Sequence, residues 1–276
     1  MFSRCLRFLF LLGVVASAAI GADNPVAPRV LRVAADPNNL PFSNDCGEGF
    51  ENKILALLAR DLGATIEYTW HAQRRGFFRE TLKDGDCDLV AGVPRGFEHV
   101  LTTAPYYRSS YVLVYRRDRG LNLHSLEDPA LRQLTIGVQM IGDDFANTPP
   151  AHALSRRGIV DNVRGFTVYG DYRQPDPPAR IIDAVAAGEV DVAVAWGPLA
   201  GYFAKKHGDV LTLVPLPPFD AASGQPFAFD IAIGVRRNEP ALRDQLNALL
   251  ARRHAEIRSI LAAYGVPQPD EPEEAK

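Results

Sequence analysis

The chain has 276 residues, is 47% hydrophobic and 23% charged, and carries a formal net charge of −3. That is ordinary globular composition, enough for two compact lobes or one large domain. No basic surplus is present, which argues against a nucleic-acid binder, and so mild a negative charge implies no more than solubility.

Residues 1–22 read as a secretory signal and not as fold. Arg4 and Arg7 make a positive start, residues 8–20 are apolar apart from Ser17, and Ala16, Ser17, Ala18 and Ala19 offer cleavage sites. The apolar stretch is too short to favour a spanning helix. Losing Arg4 and Arg7 leaves 28 basic against 33 acidic residues, a mature charge near −5. Cys5 precedes the apolar run, unlike a lipoprotein anchor, and leaves with the signal. Cys46 and Cys87 then remain. An even count in an oxidising compartment, with both in the same lobe, favours one disulfide over two unrelated buried thiols.

The mature chain opens on a strand at residues 30–35, followed by the turn-rich loop Asp36-Pro37-Asn38-Asn39-Leu40-Pro41-Phe42-Ser43. Phe50, Ile54, Leu57, Leu58 and Leu62 recur at helical spacing, and Gly63 supplies a left-handed cap. A strand at 65–70, a short helix at 77–82, a turn at 84–86 and a strand at 89–93 complete an alternating pattern. Alternation of this kind means a parallel sheet with helices on its faces. After Arg117, Ser125-Leu126-Glu127-Asp128 resembles a helix start with a capping box. Strands are expected at 135–138, 165–169, 191–195 and 210–214, with helices around 151–157, 181–188 and 197–207. A single closing helix is expected over 240–264, with Asn238 as N-cap and Gly265 as C-terminal cap.

Two apolar runs frame the second half of this pattern. Residues 106–117 place an aromatic turn and Val112-Leu113-Val114 before two arginines, and residues 229–238 echo them. Both read as buried strands bounded by charge. They are expected to be hinge strands between lobe 1, residues 27–115 plus 225–276, and lobe 2, residues 116–224. The working part of the molecule is then the cleft between the lobes.

The order of elements resembles the amino-acid-binding branch (family 3) of the type II periplasmic solute-binding proteins of ABC transporters. The resemblance rests on residues 31–42, Gly49-Phe50-Glu51, residues 85–90, Thr103-Ala104-Pro105-Tyr106-Tyr107 and residues 188–193. It implies an α/β fold of two lobes, each with a mixed, mostly parallel sheet. A narrower resemblance lies in residues 36–43, 49–54, 73–77, 100–109, 136–144 and 196–202. These are similar to the MxaJ/XoxJ type, periplasmic binding-protein-like partners of PQQ-dependent methanol and alcohol dehydrogenases. That resemblance implies association with such an enzyme, and with its cytochrome c, in the periplasm. PQQ and metal would belong to the partner, and this chain would hold no cofactor of its own.

The amino-acid binders hold the ligand carboxylate with an arginine upstream of the Pro-Tyr-Tyr turn, because guanidinium and carboxylate pair in bidentate geometry. Here that place is filled by Gly96, with Arg95 one position off. The aspartate that holds the ligand amine is replaced by Trp196. Losing both clamps argues against a free amino acid, since a buried ammonium without a carboxylate is costly to desolvate.

By fold position the loops after the sheet strands face the cleft. They offer Asp36, Asn38, Phe42, Arg74, Arg75, Tyr106, Asp143, Asp144 and Trp196. Phe42, Tyr106 and Trp196 read either as an apolar clamp for a ligand or partner segment, or as hinge packing. Arg74-Arg75 suits an anionic group or a solvated charge pair. Asp143-Asp144 suits a cation, or compensation of a helix N-terminus. Asp84, Asp86 and Asp88 alternate like a calcium loop, but Leu89 and Arg95 stand where its glycine and glutamate belong, so they read as a turn. No nucleophile elbow, His-Glu-x-x-His or phosphate loop occurs.

The expected function is a non-catalytic, exported clamp serving a quinoprotein dehydrogenase. Two alternatives stand beside it. One is a transporter receptor for a small solute other than an amino acid. The other is a dehydratase-like enzyme on the same scaffold, whose general acid would be sought among Glu48, Asp36 and Asp143.

Overall fold

The computed structural model describes residues 29–73, 76–83, 85–141, 147–168 and 172–267. The first strands are β1 (Arg29–Ala35), β2 (Asn38–Asn39) and β3 (Ser43–Asn44), followed by α1 (Phe50–Asp61) and β4 (Ala64–Trp70). Then come β5 (Leu89–Pro94), β6 (Leu101–Thr102) and β7 (Tyr107–Arg116). The second half holds β8 (Ile136–Met140), α2 (Pro149–Arg156), β9 (Val163–Thr167), α3 (Arg180–Ala186), β10 (Val192–Trp196), α4 (Gly197–Lys206) and β11 (Leu211–Pro215). β12 (Ala228–Val235), α5 (Pro240–Arg252) and α6 (His254–Ala263) close the chain.

The main sheet runs β4-β1-β5-β12-β7-β10-β8-β9, with β11 added on β7 and β6 on β12. Its two ends repeat one plan. β4, β1 and β5 are mutually parallel and are followed by antiparallel β12, whereas β9, β8 and β10 are mutually parallel and are followed by antiparallel β7. β7 joins the two halves. Its first four residues pair with β12, from Tyr107 opposite Ile231 to Ser110 opposite Ala228. From Tyr111 onward it pairs with β10 on one side, and from Val112 with β11 on the other. The changeover is made by Tyr111, whose N–H donates to Phe227 O and whose carbonyl accepts from Leu216 N, both at 2.9 Å.

Each half buries its own core. Phe50, Ile54 and Leu58 of α1 pack with Leu31, Val33, Ile233, Leu246 and Leu261. In the second half β7 is apolar on both faces. Val112 and Val114 face α3 and α4, while Leu113 and Tyr115 face the cluster of Leu131, Ile136 and Leu154. That two-residue alternation is the strand period, with both sides covered by helices.

The closing segment differs from its expectation. The single helix over 240–264 is divided at Arg253, whose φ of −101° and ψ of 15° end α5. The Arg253 guanidinium turns to Asp61 on α1, at 2.7 and 2.9 Å, so the bend lays both α5 and α6 against α1. Glu239, not Asn238, stands at the N-cap of α5. Asp128 caps a 3₁₀ turn over Pro129–Gln133 in place of the expected capping-box helix. The short helix after Phe77 is a π-turn over Arg79–Lys83.

The disulfide is not formed. Cys46 is exposed, with Sγ 3.6 Å from Asp45 Oδ1, and Cys87 is buried among Ala34, Phe77, Leu82 and Val90. Cys46 follows the carboxyl end of β1, whereas Cys87 precedes the amino end of β5. Parallel neighbours put those positions at opposite edges of the sheet.

Phe50 is fully buried and meets the rings of Phe42, Tyr107 and Tyr264 at 5.4–5.9 Å. Phe50→Ala is expected to cost about 3–5 kcal/mol, read from urea unfolding. A loss below about 1 kcal/mol would contradict the packing described.

Candidate functional site

A cavity of about 440 Å³ lies between the two halves, where β7 changes partners. Its floor comes from three strands. Trp196 ends β10 directly opposite Tyr111 of β7, with ring centroids 5.2 Å apart, and Phe229 of β12 stands 6.0 Å from Trp196. Both contacts are edge-on, as aromatic quadrupoles prefer. Phe42, Phe77, Phe78 and Tyr107 add apolar wall.

The polar groups of the wall are mostly committed. Asp36 is 3% exposed and accepts from the backbone N–H of Asn38 at 2.9 Å, from that of Gln73 at 2.8 Å, and from the Tyr172 hydroxyl. Asn38 donates from Nδ2 to Gln174 O at 3.0 Å. These contacts tie the loop after β1 to the segment after β9, across the cleft. Gln139 Oε1 accepts from Trp196 N at 3.0 Å, which fixes the start of α4 against the end of β8.

Glu51 is different. It sits in the first turn of α1 and lines the cavity, and neither carboxyl oxygen has a hydrogen-bond partner among the described residues. The strand opposite makes room for it at Gly92, where an added Cβ would fall 2.3 Å from Glu51 Oε1. Burial away from water, with the Asp36 charge adding to it, pushes the Glu51 carboxyl from 4.5 up to about 8. The phenols of Tyr106 and Tyr107 are in turn pushed up, first by burial and then by the Glu51 charge.

Of the residues expected in the cleft, Asp36, Asn38, Phe42 and Trp196 line it. Tyr106 does not: it is buried, and its hydroxyl donates to Ala91 O at 3.2 Å. Successive residues on an extended segment point to opposite faces, so the cleft receives Tyr107 and Tyr111 instead. Arg74, Arg75, Asp143 and Asp144 lie outside the described residues, although Gln73 and Ile141 beside them reach the cavity. Arg95 and Glu48 are exposed and do not line it. Glu51 was within reach of sequence reasoning. It shares the i, i+4, i+7 stripe with Leu55 and Leu58, which are 1% and 0% exposed, and an acid on such a stripe signals a carboxyl turned toward the interior face of the helix.

The sequence profile of the bacterial extracellular solute-binding proteins, family 3, matches residues 31–266. Protein MoxJ of Methylorubrum extorquens is 31% identical over 258 residues, 91% of this chain and 85% of that protein. Among solved structures, the periplasmic binding protein XoxJ from Methylobacterium extorquens AM1 is similar with a TM-score of 0.71 and 36% identity. That match covers 87% of this chain and 100% of the other. MxaJ from Methlophaga aminisulfidivorans MPT is similar with a TM-score of 0.76 and 26% identity, at the same coverage.

The raised Glu51 carboxyl makes stability depend on pH. The unfolded chain releases this proton near 4.5 and the folded chain near 8. Between those values the folded state holds more protons, so this group's contribution to stability falls as pH rises, and the loss is complete above about 8. Glu51→Gln, which cannot ionise, is expected to gain on the wild type from pH 5 to about 8 in thermal melts and to hold a constant advantage above that. A difference in melting temperature that stays flat across that range would refute the assignment.

Proposed function

Because the chain belongs to the bacterial extracellular solute-binding proteins of family 3, we propose that it is a non-catalytic periplasmic clamp serving a PQQ-dependent methanol or alcohol dehydrogenase. Lobe 1 is residues 27–115 plus 225–276, lobe 2 is residues 116–224, and the cleft between them takes a ligand or a segment of the dehydrogenase. The observation that carries this reading is the aromatic floor. Trp196 occupies the place of the amine clamp and closes against Tyr111 and Phe229, while the arginine place is held by Gly96, at φ 77° in the turn after β5. A site so rebuilt favours an apolar body over an α-amino acid zwitterion. The similarity to MoxJ over 91% of the chain supports the choice of partner.

The proposed mechanism is closure. The Asn38–Gln174 and Asp36–Tyr172 contacts join the cleft rims, and β7 and β12 are the strands about which the lobes turn. An occupant that touches both lobes favours the joined arrangement by its differential contacts with it. Among the described residues the polar groups of the wall do not assemble an acid–base pair. Asp36, the described acid whose charge acts on Glu51, already accepts three hydrogen bonds, which speaks for binding over turnover.

The test is capture from periplasm on the immobilised mature protein at several salt concentrations. A quinoprotein dehydrogenase is expected in the eluate, reduced severalfold with Trp196→Ala. Recovery of no quinoprotein at any salt would overturn the reading. Thermal-shift screening adds a second check: an α-amino acid raising the melting temperature by several degrees would contradict the loss of both clamps.

A further inference from the structure

We infer that the cleft is built for an organic cation, a protonated amine or a guanidinium on an apolar stem, with Glu51 as its counter-charge and binding coupled to release of a proton. The inference deepens the preceding reading and rests on its premise that the cleft is the binding site. It starts from a contrast between two carboxyls on one cavity wall. Asp36 has its oxygens filled by three donors. Glu51 has no donor among the described residues, and its carboxyl lies in the space beside Gly92 of β5 that a side chain there would share. A half-buried carboxyl that faces an apolar cavity without a donor is poorly hydrated, and a ligand that brings a donor completes it.

The surroundings select the sign of that ligand. From the loop after β1 Glu51 faces Asp36, an anion. From β4 it faces Tyr68, and from the segment leading into β7 and β7 itself it faces Tyr106 and Tyr107, all phenols held neutral. β5 contributes Gly92 and Pro94, without charge. No described cation acts on the Glu51 carboxyl. An anionic ligand would meet like charge at Asp36, and a purely apolar one would leave Glu51 unsatisfied. A cation satisfies it, and the rings of Phe42, Tyr107, Trp196 and Phe229 in the same cavity offer apolar and π surface for its stem and head.

The step balances simply. The empty cleft holds Glu51 as a neutral acid. When the cation arrives from water, the O–H proton passes to solvent and the carboxylate left behind accepts N–H donors from the ligand. Below the carboxyl's own pKa, apparent affinity for a permanent cation therefore rises about tenfold per pH unit, and it levels off above that point. The cationic head has two sources, a free amine or an arginine or lysine side chain on the dehydrogenase, and the chemistry at Glu51 is the same for both.

Isothermal titration of the mature protein tests this with benzylguanidine, benzylamine, benzyl alcohol and benzoate. Both cations are expected to bind, the alcohol at least tenfold more weakly and benzoate not at all. Benzylguanidine should bind about tenfold more tightly at pH 7 than at pH 6. Heats measured in buffers of different ionisation enthalpy should report close to one proton released at pH 7. Glu51→Gln, checked for folding by circular dichroism, should bind benzylguanidine at least tenfold more weakly and without pH dependence. The wild-type proton count tests the same point without any variant.

Peptides carrying a single internal arginine, against the same peptides with leucine, separate the sources. Arginine peptides binding more tightly than benzylguanidine point to a side chain of the partner, and the reverse order points to a free solute. The inference is overturned if benzyl alcohol binds as tightly as the cations, if none of the cations binds, or if affinity is flat between pH 6 and 8. Capture of the dehydrogenase by a protein that ignores every cation would remove this inference alone. Cation binding without capture of a quinoprotein would remove the partner alone.

Discussion

The structure turns on one backbone handover. Tyr111 gives its N–H to Phe227 and takes the N–H of Leu216, so β7 leaves β12 and joins β11 without stranding a buried peptide group. That single requirement aligns β12, β7 and β10 edge to edge and makes one sheet serve two cores. It also forces the side chains at the junction into the gap between the cores. The register sets Trp196 opposite Tyr111, and β12 brings Phe229 against Trp196. The aromatic floor is thus a consequence of where the strands exchange partners.

Close approach of backbones holds the two halves together behind that floor. Gly201 of α4 lies so near the turn after α6 that an added Cβ would stand 1.9 Å from Gly265 O. Lys205, one turn on, donates to the carbonyls of Ala262 and Ala263 at 3.2 and 3.0 Å. A cation on the last carbonyls of a helix is favourably placed against its dipole. The second half is therefore fastened to the end of the first on this side, and joined to it on the cleft side by side chains of the loop after β1.

Much of this was legible in the chain. The order of strands and helices follows from apolar periodicity and glycine punctuation, and both hinge strands were visible as apolar runs ending in charge. Phe42, Asp36, Asn38 and Trp196 line one cavity because loops after parallel strands share one edge. Tyr106 failed by one residue, which on an extended chain is the difference between cleft and core. The closing helix was broken by Arg253 reaching for Asp61, a partner 192 positions away in the chain. No local signal encodes that pull.

What the sequence alone determined is the inventory: an export signal as expectation, alternating α/β elements, two long apolar strands, and the substitution of Gly96 and Trp196 where amino-acid binders carry charge. These are local patterns, and local patterns survive without coordinates. Tertiary structure decided which carboxyl is satisfied and which is not, and whether two cysteines meet. Cys46 and Cys87 both belong to the first half yet sit at opposite edges of parallel strands, and Glu51 acquires its character from Gly92 and Asp36, residues of other elements. A thiol's neighbour and an acid's proton depend on strand direction and register, and those are fixed only when distant segments pack.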